Sequence, residues 1–334
     1  MTHALPVIFM AIMGIALFAY VVLDGYDLGI GLLLPFADGH EKDEMIAAIG
    51  PFWDANETWL VLGIGVLLIA FPVAHGLVLT ALYLPVTLML IGLILRGVSF
   101  DFRVKAAATQ KRMWNRAFAA GSLLAAVAQG WMLGSYVTGL TPSPVGRYFA
   151  ALIAATLPAL YVVLGAGWLL LKTDGPLFDK ALRFGRRAML PMGLALLAIS
   201  IATPLVSPTI AARWFALPNF IGLLPIPLTS LIAFAAVYWV LGRPDVARGG
   251  YAWIVMAGTT LLCLMATIGL AYSLYPYVVL DRLTIWQAAA DTRSLRFVFA
   301  GVVLVLPFTI AYTVFVYRVF WGRAAGLSYG DGSH

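Results

Sequence analysis

The sequence has little of what a soluble or metal-binding protein uses. Its 334 residues hold one cysteine, four histidines and only 11% charged residues. One cysteine excludes an internal disulfide framework and any CxxC redox or metal motif. Cys263 lies inside an apolar run, where a buried or lipid-facing thiol is expected. His3 and His334 are at the termini, His40 is in the first connection, and His75 falls in a short outer loop after Phe71-Pro72. None has a second histidine at helical spacing, the arrangement that axial haem ligation inside a bilayer uses. The 11 methionines read as packing residues. There is no P-loop, Rossmann glycine pattern or carboxylate–histidine metal constellation. The chain's own residues therefore offer no ligand set for haem or metal, and electron chemistry falls mostly to a partner.

Apolar sequence is abundant instead. A soluble domain is about 45–50% apolar and about 25% charged. Here 62% is hydrophobic and the mean hydropathy is +0.95. A soluble core of this size does not hide so much apolar surface, whereas a bilayer needs no polar shell along most of the chain. The N-terminal MTHALPVIF lacks a basic n-region, and the apolar run after it is too long for a signal-peptide core. It is expected to be the first membrane helix, retained in the mature protein. The formal charge of +6 is no nucleic-acid signal, because the basic residues sit in short connections between apolar runs.

A spanning helix needs about 20 mostly apolar residues. Nine runs qualify, roughly 6–36, 49–71, 77–97, 117–137, 149–171, 188–205, 220–241, 252–275 and 297–321. Pro204 is read as the end of the sixth. The whole chain, 1–334, is read as a single polytopic membrane domain. Sixteen of the 21 lysines and arginines fall in the odd-numbered connections and the C-terminal end, and five in the N-terminus and even-numbered connections. The positive-inside rule then places the N-terminus outside and the C-terminus in the cytoplasm. Arg103, Lys105, Lys111, Arg112 and Arg116 in the third connection, and Lys172, Lys180, Arg183, Arg186 and Arg187 in the fifth, are the main anchors. Plain topology anchoring is the preferred reading of these clusters, and binding of membrane phospholipid the alternative.

Ionisable groups inside spanning helices cost about 2.5–3.5 kcal/mol on insertion scales and are functional candidates by default. They are Asp24 and Asp27 in the first helix, Asp54 and Glu57 in the second, and Arg96 at the end of the third, with Asp101 just beyond. At about 1.5 Å rise per residue, Asp27 and Asp24 lie roughly 14 and 18 Å from the cytoplasmic boundary, and Asp54 and Glu57 roughly 10 and 15 Å deep. Four carboxylates and one arginine thus converge on the cytoplasmic half of the first three helices. Asp24 and Asp27 are three residues apart, as are Asp54 and Glu57, so each pair shares a helix face. Neighbouring carboxylates in low dielectric cannot all stay ionised, and a ladder of them suits a proton path. The competing reading is that they hold the helices together through Arg96, hydroxyls and amides. Asp54 is the first candidate for the path. Asn56 and Thr58 can satisfy or relay these carboxylates, while Trp53 and Trp59 fit boundary positions. Gly25, Gly29 and Gly31 form a small-residue face for close helix packing.

The segments LDGYDLGIG (Leu23–Gly31), FWDANETWLV (Phe52–Val61), RGVSFDFR (Arg96–Arg103) and YPYVVLDRLTIWQAA (Tyr275–Ala289) resemble the signature segments of subunit II of cytochrome bd-type ubiquinol oxidases and their cyanide-insensitive relatives. The resemblance runs from the first helix to the ninth in order. It implies an all-α integral membrane protein of nine transmembrane helices, arranged as two four-helix bundles plus one peripheral helix. It implies a bacterial inner membrane, a larger subunit I carrying two b-type haems and haem d, and an accompanying small single-helix subunit. It implies oxidation of ubiquinol and reduction of dioxygen to water, with chemical protons drawn from the cytoplasm and none pumped. Subunit II would support haem assembly and supply a proton route, with no catalytic residue of its own. A quinone bound to this chain is a further ligand the resemblance admits. The family's tryptophan–aspartate motif falls on Trp53 and Asp54, its first-helix aspartate pair on Asp24 and Asp27, and its arginine on Arg96. Many relatives carry proline where Leu280-Asp281 stands. In that last outer loop Asp281 could cap the short LTIWQAA segment, or Asp281 and Asp291 are ordinary loop residues.

Protons would then enter near Asp54 and Glu57 and pass Asp24 and Asp27 towards the partner. The alternative from another class is a stand-alone proton-coupled secondary transporter or channel, which would show midplane sites at broken helices and a repeat architecture.

Overall fold

A computed structural model describes residues 3–217 and 219–324. Nine helices among the described residues are long and apolar enough to cross a membrane. They are α1 (Ala4–Leu33), α2 (Trp53–Ala70), α3 (Pro72–Lys105), α4 (Ala108–Val137), α5 (Pro144–Lys172), α6 (Gly175–Val206), α7 (Pro225–Leu241), α8 (Trp253–Leu274) and α9 (Thr292–Val319). Helices α1–α4 pack as one bundle and α5–α8 as a second, joined where α1 and α4 lie against α5. Helix α9 stands outside both, running mainly along α1 and α2, with its C-terminal turn reaching α5. Its most apolar 18-residue stretch contains no buried residue.

Local sequence explains the boundaries. Pro72 sits in the first turn of α3 and Pro144 in that of α5, where a missing N–H costs nothing. Ser143 caps α5 by accepting from the Gly146 N–H at 3.0 Å. Asp291 caps α9, accepting from the Arg293 N–H at 2.8 Å, so it is more than a loop residue. In the last outer loop, β1 (Tyr277–Val279) pairs antiparallel with β2 (Leu283–Thr284) ahead of a short helix, Ile285–Ala288. Thr284, not Asp281, caps that helix. Asp281 instead accepts from Thr209 Oγ1 at 2.9 Å.

Several sequence expectations need correction. Helix α3 runs nine residues beyond Arg96, to Lys105, so Arg96 lies within the helix and not at its end. At 34 residues, and kinked at Leu82, α3 has a contour of about 50 Å, longer than a hydrocarbon core of about 30 Å. Arg103 is consequently buried on this extension, paired with Asp43 at 2.7 Å, and is no free loop anchor. His75 lies in the first turn of α3 rather than in a loop, because Phe71 alone separates α2 from α3. Helix α6 continues through Pro191 and past Pro204 to Val206, as membrane helices can. The second span begins at Trp53 and not at residue 49. Residues Gly39–Ile49 form a separate short helix, and Gly50-Pro51-Phe52 breaks the chain.

That short helix is pinned to α6. Lys180 Nζ donates to Asp38 Oδ2 and to Glu41 Oε2, each at 2.7 Å, and Glu41 closes a capping box on the Asp38 N–H. The Lys180 hydrogen bond, and then its charge, hold the Asp38 carboxyl below its usual range. A lowered carboxyl stabilises the fold above its unfolded value and loses that contribution as pH falls. Lys180→Ala is therefore expected to lower the melting temperature at pH 7, with the gap to the parent chain closing below about pH 4. Thermal unfolding in detergent at the two pH values checks this; a gap that widens in acid contradicts it.

Candidate functional site

Two glycine contacts bring the charged helices together. On α1, a Cβ at Gly29 would lie 1.8 Å from the Tyr161 carbonyl oxygen of α5. Between α3 and α4, Gly92 and Gly121 face each other, and a Cβ at Gly121 would lie 2.9 Å from the backbone nitrogen of Arg96. Only glycine permits such approach. Arg96 is thereby held in the bundle interior with 1% of its side chain exposed.

Two carboxylates lie against Arg96. Its Nη1 lies 2.5 Å from Asp24 Oδ1, and its Nη2 3.5 Å from Glu57 Oε2. Asp24 is fully buried, and Glu57 keeps 26% of its side chain exposed. Neither contact has aligned hydrogen-bond geometry: the Arg96 nitrogens and both Asp24 oxygens lack a hydrogen-bond partner among the described residues. These are close charge contacts, and a single guanidinium serves the whole set. Asp27, also fully buried, accepts from Asn56 Nδ2 at 2.8 Å through Oδ2.

Asn56 is the hub of a second network. Its Nδ2 also donates to the Tyr26 hydroxyl at 2.7 Å, and its Oδ1 accepts from the Tyr317 hydroxyl at 2.9 Å. The Tyr26 and Tyr317 hydroxyls are 2.6 Å apart. Because Tyr317 donates to Asn56, Tyr26 donates to Tyr317, and Asn56, Tyr26 and Tyr317 close a three-membered ring of hydrogen bonds. On the other side of Asp24, Gln129 Nε2 donates to the Tyr20 hydroxyl at 2.7 Å, and Tyr161 donates to Gln129 Oε1. Tyr20 is one helical turn before Asp24, close enough for their side chains to meet.

Asp24, Asp27, Glu57, Asn56 and Arg96 thus come together as the sequence suggests. Asp54 does not join them. It lies in the first turn of α2, exposed and without a hydrogen bond or ion pair among the described residues. The Gly50–Phe52 break places it at the helix start rather than one to two turns in. Asp101 is exposed on the α3 extension, and Thr58 is exposed and bonded to its own helix at Ala55 O. Trp53 is half-buried against Phe100, with ring centroids 5.1 Å apart. Trp59 is buried, and its indole nitrogen has no hydrogen-bond partner among the described residues. The tyrosines 20, 26, 161 and 317 carry no signal in sequence, since tyrosine in an apolar run is also an ordinary packing or boundary residue. Glutamine 129 inside a spanning run was a visible cue.

Histidines 3 and 40 are exposed and His75 is half-buried on α3. None belongs to this cluster, and His334 lies outside the described residues. This donor set does not fit a haem-ligand pair, and no redox step is assigned to these side chains.

The fold and the buried ionic cluster define a polytopic helical membrane protein with charge sequestered among its first three helices. Comparison with known proteins identifies it further. The family described as cytochrome bd terminal oxidase subunit II matches residues 5–320, and the chain belongs to that family. It is 28% identical over 344 residues to the cytochrome bd ubiquinol oxidase subunit 2 of Bacillus subtilis, covering 97% of each. It is 26% identical over 369 residues to the cytochrome bd-I ubiquinol oxidase subunit 2 of Escherichia coli K12, covering 96% of this chain and 95% of that one. Its fold matches the solved bd oxidase from Geobacillus thermodenitrificans with a TM-score of 0.76 at 20% identity, over 95% of this chain and 98% of that one.

Proposed function

We propose that this chain is the second subunit of a cytochrome bd-type quinol oxidase and provides a proton route into the complex. In this reading a haem-bearing subunit I oxidises quinol and reduces dioxygen to water, a small single-helix subunit accompanies it, and this chain aids haem assembly. Its N-terminus is periplasmic and its C-terminus cytoplasmic, as the loop charges require. The whole-length likeness to oxidase subunits supports this reading over a stand-alone transporter.

The observation that carries the proton route is a gradient of exposure. Asp54 is exposed; Glu57, one turn on, is 26% exposed; Arg96 is 1% exposed and Asp24 is fully buried. Protons enter at Asp54 and Glu57 and are handed inward, past Arg96, to Asp24. Asp27, held by the Asn56 ring, forms a second acceptor three residues along the same helix face. Arg96 keeps the site hospitable to negative charge.

Asp54→Asn tests the route. Oxygen consumption by the assembled oxidase is expected to fall by at least several-fold while haem content stays at the parent level, because an outer carboxylate feeds protons without bearing on packing. Normal oxygen consumption and membrane-potential generation would sink the route. Loss of haem d from an intact complex would assign these residues a structural role instead.

A further inference from the structure

We propose that Lys172 is a positioning residue that clamps the C-terminal turn of α9 and so keeps the Tyr317 hydroxyl on Asn56. Among the sequence's anchoring lysines it is the exception: it is the last residue of α5 yet only 3% exposed. No carboxylate among the described residues pairs with it; the nearby Asp174 pairs with Arg323 at 3.2 Å. Lys172 Nζ instead donates to the Phe320 carbonyl at 2.7 Å, the C-cap of α9. Its ammonium also lies 5.0 Å from the ring centroids of both Phe52 and Trp168. A cation over two aromatic faces and a helix C-terminus is stabilised by ring quadrupoles and by the helix dipole, so no counter-ion is needed.

The clamp bears on the candidate site through one turn of helix. Tyr317 precedes Phe320 by three residues. Its ring packs against Phe52, with centroids 4.8 Å apart, and edge-on to Trp168. Trp168 in turn stacks on Tyr26 at 4.3 Å. Lys172 therefore closes one end of an aromatic box whose other end is the Asn56–Tyr26–Tyr317 ring. Elsewhere α9 has little to hold it, since no residue of its apolar middle is buried. Arg323 ties down the segment after α9, donating to the Thr173 carbonyl at 2.6 Å; Lys172 fixes the turn itself. The effect on turnover rests on the proton route proposed above, whereas the clamp does not.

The test uses the assembled oxidase with a nitroxide on Val319→Cys, an exposed position at the end of α9. The native Cys263 is buried. Lys172→Met is expected to raise label mobility, and Lys172→Arg to restore it. Turnover is expected to fall on the order of fivefold in Tyr317→Phe, by a similar factor in Lys172→Met, and no further in the double variant. Unchanged mobility in Lys172→Met overturns the clamp. Additive losses in the double variant overturn its action through Tyr317. Raised mobility with undiminished turnover in both single variants supports the clamp and counts against the proton route. If Lys172→Met does not assemble, Lys172→Gln, which loses the charge and reach of the ammonium, takes its place with the same expected signs.

Discussion

Arg96→Leu is expected to be the most damaging single substitution in the chain. It removes the guanidinium shared by Asp24 and Glu57 while leaving Asp24 and Asp27 fully buried. Breaking a buried pair by deleting one partner costs about 3–5 kcal/mol, because the surviving charge has neither water nor counter-ion. That is a large fraction of the stability of most folded domains. The expected result is loss of folded protein from solubilised membranes, measured as monodisperse yield and melting temperature. Adding Asp24→Leu should recover much of the loss, since an apolar pair in place of a buried ion pair is often neutral or stabilising. A double variant as poor as the single would mean that Arg96 acts through something other than charge balance. Proton delivery would stay impaired in the rescued protein, which separates the stability role from the transport role.

The second large effect is expected at Gly29. Its missing Cβ is what lets α1 reach the backbone of α5, and a Cβ at Gly165 would in turn sit 2.7 Å from the Gly29 carbonyl carbon. The obstacles on both sides are backbone atoms, which no rotamer change moves. Gly29→Ala is expected to cost about 3 kcal/mol, the upper end of overpacking penalties, and a larger residue more. Gly65 on α2 has no atom within 4 Å of its Cβ position, and Gly65→Ala should be neutral or slightly stabilising. Equal melting temperatures for the two alanine variants would show that the α1–α5 crossing is softer than its geometry implies.

Much of this architecture is legible in the sequence, for a physical reason. In lipid each span must be a long apolar run, so nine runs give nine helices. Arg96, Asp24, Asp27 and Glu57 stand out because charge is rare there. Helix ends are less legible, since an apolar run marks the bilayer and not the helix. Helix α3 overshoots its run to Lys105, and the run at residue 49 starts before α2 does. Gly50-Pro51 marks that break, and with it the position of Asp54 at the exposed start of α2. The partners of Asn56 are illegible for another reason. Tyr317 lies 261 residues away, and Tyr26 looks like any tyrosine in an apolar stretch. Lys172 misleads most. It reads as one more cytoplasmic anchor, and only the return of α9 reveals that it is enclosed by aromatic rings.

The order of the charged helices along the chain has a consequence for biosynthesis. Asp24 leaves the ribosome 72 residues ahead of Arg96. At roughly 5–20 residues per second, α1 waits about 4–14 s for its counter-charge. For that interval Asp24 lacks its cationic partner, and Asp27 gains only the Asn56 amide once α2 is made. The hold of α1 on the bilayer is then at its weakest, and the arrival of α3 turns a reluctant insertion into a committed one.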